Sequence, residues 1–275
     1  MMKTDTLTMS RREFLRLSTL TAAAVCVPGA LCACQAALEH ETAESYYGSR
    51  KDKILRDYDE TARYMRAALA THDGAEVAET VIRDARPQTE SLIRQLPYIG
   101  GDKNELTQNL VQSAGALALY RAMKAHGKTA RETGQILYEG FDAQISATPK
   151  IVATGLSVLQ AVGLDAQKAK QDVAESKKHA YPGDWVQEFV EGDGKTFDWG
   201  IDYTECGCVK FFHAQGADEI TPYLCQLDYP MSRVFGMGLV RTTTLAQGGP
   251  RCDFRYKRGR KTEPGWPPPF LDQGS

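Results

Sequence analysis

Three residues in the last third of the chain are of types that do covalent chemistry together. Cys225 and Asp228 stand in "YLCQLDYP", and Cys252 follows in "RCDFRY". Positions i and i+3 of a helix project from one face, so this thiol and this carboxylate are expected to be neighbours. A thiolate attacks an electrophilic carbon, while a carboxyl group whose pKa is raised by partial burial delivers or takes the proton. Each residue also has a plain structural role open to it. A cysteine between Leu224 and Leu227 fills a small space in a core. Asp228 suits a solvated helix end, and Cys252, two positions before Phe254, faces inward on a strand.

Other reactive side chains crowd the same region. Of seven cysteines, Cys206, Cys208, Cys225 and Cys252 fall in the last third, and none stands between Cys34 and Cys206. Such clustering points to a site more than to general stapling. Arg241 is expected on the strand that pairs with the one carrying Cys252, Asp253 and Arg255. A guanidinium there would hold a substrate carboxylate through two parallel hydrogen bonds. Cys206 and Asp253 complete the expected substrate-binding set. No cofactor is expected in this arrangement. The competing arrangement is a zinc or other soft-metal centre on Cys206, Cys208, Cys225 and Cys252, or a disulfide between Cys206 and another cysteine.

The elements that must position these residues follow from periodicity. From residue 51 to about 180 the pattern is helical: Ile54, Tyr58, Ala62, Met65 and Leu69 form one apolar stripe. Val77, Val81 and Ala85 extend it until Pro87, which is expected to interrupt. A small-residue helix follows over 104–125, then one from Thr129 with Glu132 completing a capping box. Pro149 suits the first turn of a helix to Ala161, and Asp165 is expected to cap a charged helix to about Lys178. Over 181–257 the period changes to alternation. "DWVQEFV" and "TFDWGIDY" around "EGDGK" make one hairpin. "GLVRTTTLAQGGPRCDFRYK" makes a second, with two helices between them, the later one stopped by Pro230. The fold class is α+β: a helical N-terminal half, then a small four-stranded antiparallel sheet of two hairpins with two inserted helices. Residues 258–275 form a Pro-rich, extended tail.

The N-terminus reads as an address. Arg11 and Arg12 precede an apolar run that is too short and too rich in Ala and Thr to be a good membrane span. Residues 1–33 are therefore expected to be a twin-arginine export signal. Its end, Leu31-Cys32-Ala33-Cys34, has the form of a lipobox, which would lipidate Cys34 and anchor the chain to a membrane. Residues 34–50 are polar and expected to be a tether. The protein would then work in the periplasm or at a membrane face, where disulfides persist. The segment before Cys34 carries four basic and two acidic residues. The remainder has 29 basic and 33 acidic residues, net −4, which gives no field for nucleic acid. A small-molecule substrate and, through Cys34, a membrane are the expected partners.

"FDWGIDYTECGCVKFF", "GADEITPYLCQLDYPM" and "RTTTLAQGGPRCDFRY" together resemble the L-2-amino-thiazoline-4-carboxylic acid hydrolase family. The resemblance is best over about 184–256. It implies hydrolytic opening of a small ring that contains sulfur and nitrogen, by attack at the amidine-like carbon between them. The choice of Cys225 as nucleophile comes from the residue pattern, not from the resemblance. The namesake activity is metabolic and expected in the cytosol, so an export signal implies a different substrate. The Cys-x-x-Asp pair with a distant second cysteine is also similar to the catalytic set of organomercurial lyases. In that arrangement Cys225 and Cys252 would grip mercury and Asp228 would protonate the departing carbon.

Overall fold

The computed structural model describes residues 41–151, 155 and 163–274. The twin-arginine segment, Cys34 and most of the helix expected over 149–161 lie outside the described residues. No helix among the described residues is long and apolar enough to cross a membrane.

Helix α1 spans Ala43–Asp73 and begins inside the stretch expected to be a tether. The reason is a capping box. The Ser45 N–H donates to Thr42 Oγ1 at 3.2 Å, and the Thr42 N–H donates to Ser45 Oγ at 3.0 Å. Tyr46 and Tyr47 of its first turn are buried, and the Tyr47 hydroxyl donates to the Pro97 carbonyl at 2.9 Å. The expected stripe faces inward: Ile54, Ala62, Met65 and Leu69 are buried.

Helix α2, Ala75–Ile93, runs through Pro87 instead of ending there. A proline in a helix interior costs about 3 kcal/mol. Beyond it, however, Leu92 and Ile93 are each 1 % exposed, and burying such a side chain contributes roughly 1.5–3 kcal/mol. The core outweighs the local break. Helices α3 (Leu106–Ala125) and α4 (Ala130–Ser146) complete the bundle, with α2 on α3 and α4 on α1. The capping box at the start of α4 forms as expected, with Thr129 and Glu132 exchanging hydrogen bonds of 2.8 and 3.2 Å.

Helix α5, Leu164–Ser176, is capped by Gly163 and not by Asp165. Asp165 sits in the first turn and accepts from the Trp199 indole N–H at 3.1 Å, which ties α5 to the sheet. Ala169 of α5 packs with Trp199 and Ile201 in a second, smaller core.

The sheet contains β1 (Val186–Glu191), β2 (Trp199–Glu205), β3 (Leu239–Val240) and β4 (Cys252–Tyr256). Its order is β1-β2-β4-β3, antiparallel throughout. The first hairpin is as the alternation predicts. Asp193 organises its loop by accepting from the Lys195 and Thr196 N–H groups and the Thr196 hydroxyl. Those bonds, the Thr196 hydroxyl foremost, bring its carboxyl to about 2.

In the second hairpin only Leu239 and Val240 join the ladder before the chain leaves it. Thr242 and Thr243 give their N–H groups to the Asp253 carboxylate at 2.8 and 2.7 Å. A side-chain acceptor has displaced the strand pairing.

Helix α6, Gly207–Ala214, follows β2. The second inserted helix is segmented: a 3₁₀ turn at Asp218–Ile220, an α turn at Thr221–Leu224, a 3₁₀ turn at Cys225–Leu227, then α7 at Asp228–Phe235. Pro230 does not stop it. It occupies the first turn of α7, where backbone N–H groups have no intrahelical partner to lose. The stop comes at Gly236, in the left-handed conformation with φ 67°.

Candidate active site

The 3₁₀ turn places Cys225 and Asp228 as the spacing predicts, since side chains at i and i+3 eclipse in that geometry. β4 brings Cys252 to the same place, and the start of α6 brings Cys206, its N-cap residue. All four groups share one electrostatic neighbourhood: negative charge on Asp228, Cys206 or Cys252 opposes ionisation of Cys225. The four cysteines of this region are free thiols.

Arg241 is the hub. Its Nη1 donates to Asp228 Oδ2 at 2.5 Å and its Nη2 donates to the Cys225 carbonyl at 2.7 Å. The guanidinium carbon lies 5.0 Å from the Phe254 ring centre and 5.4 Å from that of Tyr229. The Arg241 side chain is 3 % exposed and that of Asp228 is 31 % exposed. Arg241 was expected to hold a substrate carboxylate. Its side chain is buried and bonds the protein's own carboxylate and backbone. Asp228 Oδ1 has no hydrogen-bond partner among the described residues and remains able to meet a bound molecule.

Asp253 is likewise bonded within the protein. Successive strand residues face opposite sides of a sheet. The register pairs Cys252 with Tyr203 and Asp253 with Asp202, which puts Asp253 on the other side from Cys252. Its Oδ1 accepts from Thr242 and Thr243 and its Oδ2 from the Thr242 hydroxyl at 2.6 Å. Burial would raise its carboxyl, but these bonds outweigh that and bring it below the ordinary value. Arg255, also on the far side, pairs with Asp202 at 2.7 Å, and Arg251 reaches the same carboxylate at 3.1 Å.

Burial sets the protonation of the site. It pushes the Cys225 thiol well up, against the pull of Arg241. It raises the Asp228 carboxyl too, again opposed by Arg241. Cys206 is raised by its hydrogen bond with the Cys208 thiol and then by burial. Cys208 in turn lies 3.0 Å from Ser113 Oγ on α3. The Cys252 thiol is pushed up to about 11 by burial, although the Leu245 N–H donates to its sulfur at 3.2 Å. Arg241 stays charged: burial works against its charge, and Asp228 outweighs burial. The resting site is thus one guanidinium, one carboxyl group held near it, and neutral thiols.

A pH dependence follows. The folded-state value of Cys252 lies above its ordinary 9.0. The protonated thiol therefore stabilises the fold fully below pH 9, and that contribution disappears as pH rises towards 11. The amount is on the order of 2 kcal/mol. Urea midpoints measured from pH 8 to 11 should fall more steeply for the wild type than for Cys252→Ala. Parallel curves would contradict this account.

Tyr203 and Tyr229 border the cluster. Tyr203 lies opposite Cys252 in the ladder, and its ring is 5.1 Å from that of Phe254. Burial raises both hydroxyls. Among the described residues, no three His, Cys, Asp or Glu side chains are grouped so that they could hold a metal ion.

No curated protein and no solved structure matches the chain. Residues 108–256, just over half of it, match the L-2-amino-thiazoline-4-carboxylic acid hydrolase family and include every residue of the cluster. The chain belongs to that family.

Proposed function

We propose that the protein is an exported hydrolase that opens a small heterocycle at a C–N or C–S bond, with Cys225 as nucleophile and Asp228 as proton carrier. The observation that supports this most is the shared neighbourhood of Cys225, Asp228 and Cys252, within the family-matching stretch, where Arg241 bonds both the Asp228 carboxylate and the Cys225 carbonyl. The Cys225 sulfur bonds to the ring carbon between S and N, and its proton passes by way of Asp228 to the ring nitrogen. The ring C–N or C–S bond then breaks and the departing atom keeps or takes that proton. Water attacks the thioester-like adduct, releases the opened product and returns a proton to the thiol. The net change is addition of one water. Cys252, on β4, supplies the second sulfur against the ring.

The twin-arginine segment supports a periplasmic or membrane-anchored location, with lipid on Cys34 as the anchor. An acylated N-terminal Cys34 peptide in the membrane fraction is the expected result. The substrate would then be one met outside the cytosol.

The test is ring opening of 2-amino-thiazoline-4-carboxylate and related thiazolines by the mature protein, followed as new thiol. Cys225→Ser should lower kcat by at least about 100-fold. Full turnover in that variant would end the reading. The shared neighbourhood of two thiols and a carboxyl group also favours a second reading, protonolysis of a carbon–mercury bond. That reaction needs both Cys225 and Cys252, and persistence of cleavage in Cys252→Ser would exclude it.

A further inference from the structure

The chain continues past Tyr256, where the family match ends. We propose that its strap, Thr262 to Phe270, positions the turn that carries Cys225 and Asp228. The proposal rests on the reading of those two residues as the reacting pair.

On the segment that carries Cys225 and Asp228, the strap touches one row of residues. A Cβ at Gly265 would stand 2.6 Å from the Tyr229 ring and 2.9 Å from the Gln226 carbonyl oxygen, so only glycine lets the backbone lie there. Trp266 lies with its ring centre 5.9 Å from that of Tyr223, and Phe270 meets Tyr223 edge-on at 5.3 Å. Thr262 is buried, and its hydroxyl is 2.7 Å from that of Ser232.

Tyr223, Gln226, Tyr229 and Ser232 recur every three residues, which makes a straight row where the segment tightens to 3₁₀. Cys225 and Asp228 form a different row, the one that meets Arg241. The strap and Arg241 thus both bear on the turn, and both reach Tyr229, whose ring centre lies 5.4 Å from the guanidinium carbon.

The strap is itself anchored. The Gly265 N–H donates to the Tyr138 hydroxyl of α4 at 3.2 Å, and that oxygen also accepts from Arg233 Nη1 at 3.0 Å. Arg233 Nη2 reaches Asp142 at 2.7 Å. Trp266 lies 5.9 Å from the Tyr138 ring as well. A 3₁₀ turn between two α pieces is a weak point in a helix. With the strap loosened, the turn relaxes and the Cys225 thiol, half-buried in the intact fold, becomes more open to solvent.

The experiment is alkylation of the folded mature protein by iodoacetamide at pH 8, read thiol by thiol by peptide mass spectrometry. In Trp266→Ala, and in Gly265→Ala, the Cys225 rate should rise roughly tenfold while the Cys208 rate does not change, and Trp266→Phe should restore the wild-type rate. Cys208, held against Ser113, reports general unfolding. A Cys225 rate that rises no more than the Cys208 rate overturns the proposal. If Gly265→Ala does not fold, the Trp266 variants carry the test alone. Alkylation does not require turnover. A wild type that opens no thiazoline would therefore sink the functional reading without touching this result, and the reverse also holds.

Discussion

Asp228→Ala should lower the unfolding free energy by roughly 3–5 kcal/mol, because it leaves the Arg241 guanidinium buried without its counter-charge. Arg241 is 3 % exposed, and the remaining partners would be the Cys225 carbonyl and two aromatic rings. Asp228 itself is 31 % exposed, so water entering the vacated space recovers part of the cost and the lower end of that range applies. Arg241→Met should cost less. It removes the buried charge outright, and burial already favours the protonated Asp228 left behind. The double variant should unfold near the urea midpoint of Arg241→Met alone, since the two losses share one interaction. A wild-type midpoint for Asp228→Ala would show that the pair does not hold the fold.

Asp228→Asn separates the pair's structural part from its chemical part. The amide oxygen still accepts from Arg241, so the fold should survive with a smaller loss than in the alanine variant. A proton carrier typically contributes 10²- to 10⁴-fold, so kcat should drop by about that factor. The wild-type profile of kcat/KM should show an ionisation above the ordinary aspartate value of 3.8, because burial raises the carboxyl despite Arg241. That limb should vanish in the amide variant. Retained turnover with an unchanged profile would remove Asp228 from the chemistry.

Much of this site was legible in the sequence, and the illegible part has a common cause. The spacing of Cys225 and Asp228, the clustering of the late cysteines, both hairpins and the helical first half follow from local periodicity and residue type. The roles of Arg241 and Asp253 do not. A guanidinium near a thiol reads equally as a substrate clamp or as an internal ion pair. What decides is how deep the tertiary fold buries it, and Arg241 is deep. Asp253 reads as a neighbour of Cys252, yet strand alternation sends it to the other face, where two backbone N–H groups claim it. Pro87 and Pro230 mislead for a related reason. Their local preference is to break a helix, and it loses to core burial in one case and is satisfied by a first-turn position in the other. The capping box at Thr42 was present in the sequence, but the polar segment around it concealed it.

The brevity of β3 has a further consequence. An outer strand with a long row of free N–H and C=O groups invites a second chain to pair with it, and proteins commonly guard against such growth. Here the outer strand offers two residues and then turns inward at Arg241. The departure that delivers the guanidinium to Asp228 therefore also blunts the β3 edge of the sheet against pairing with its own copies. A substitution at Asp253, which holds that departure in place, would release Thr242 and Thr243 to extend the strand. Its cost would be paid in self-association as well as in the arrangement of the site.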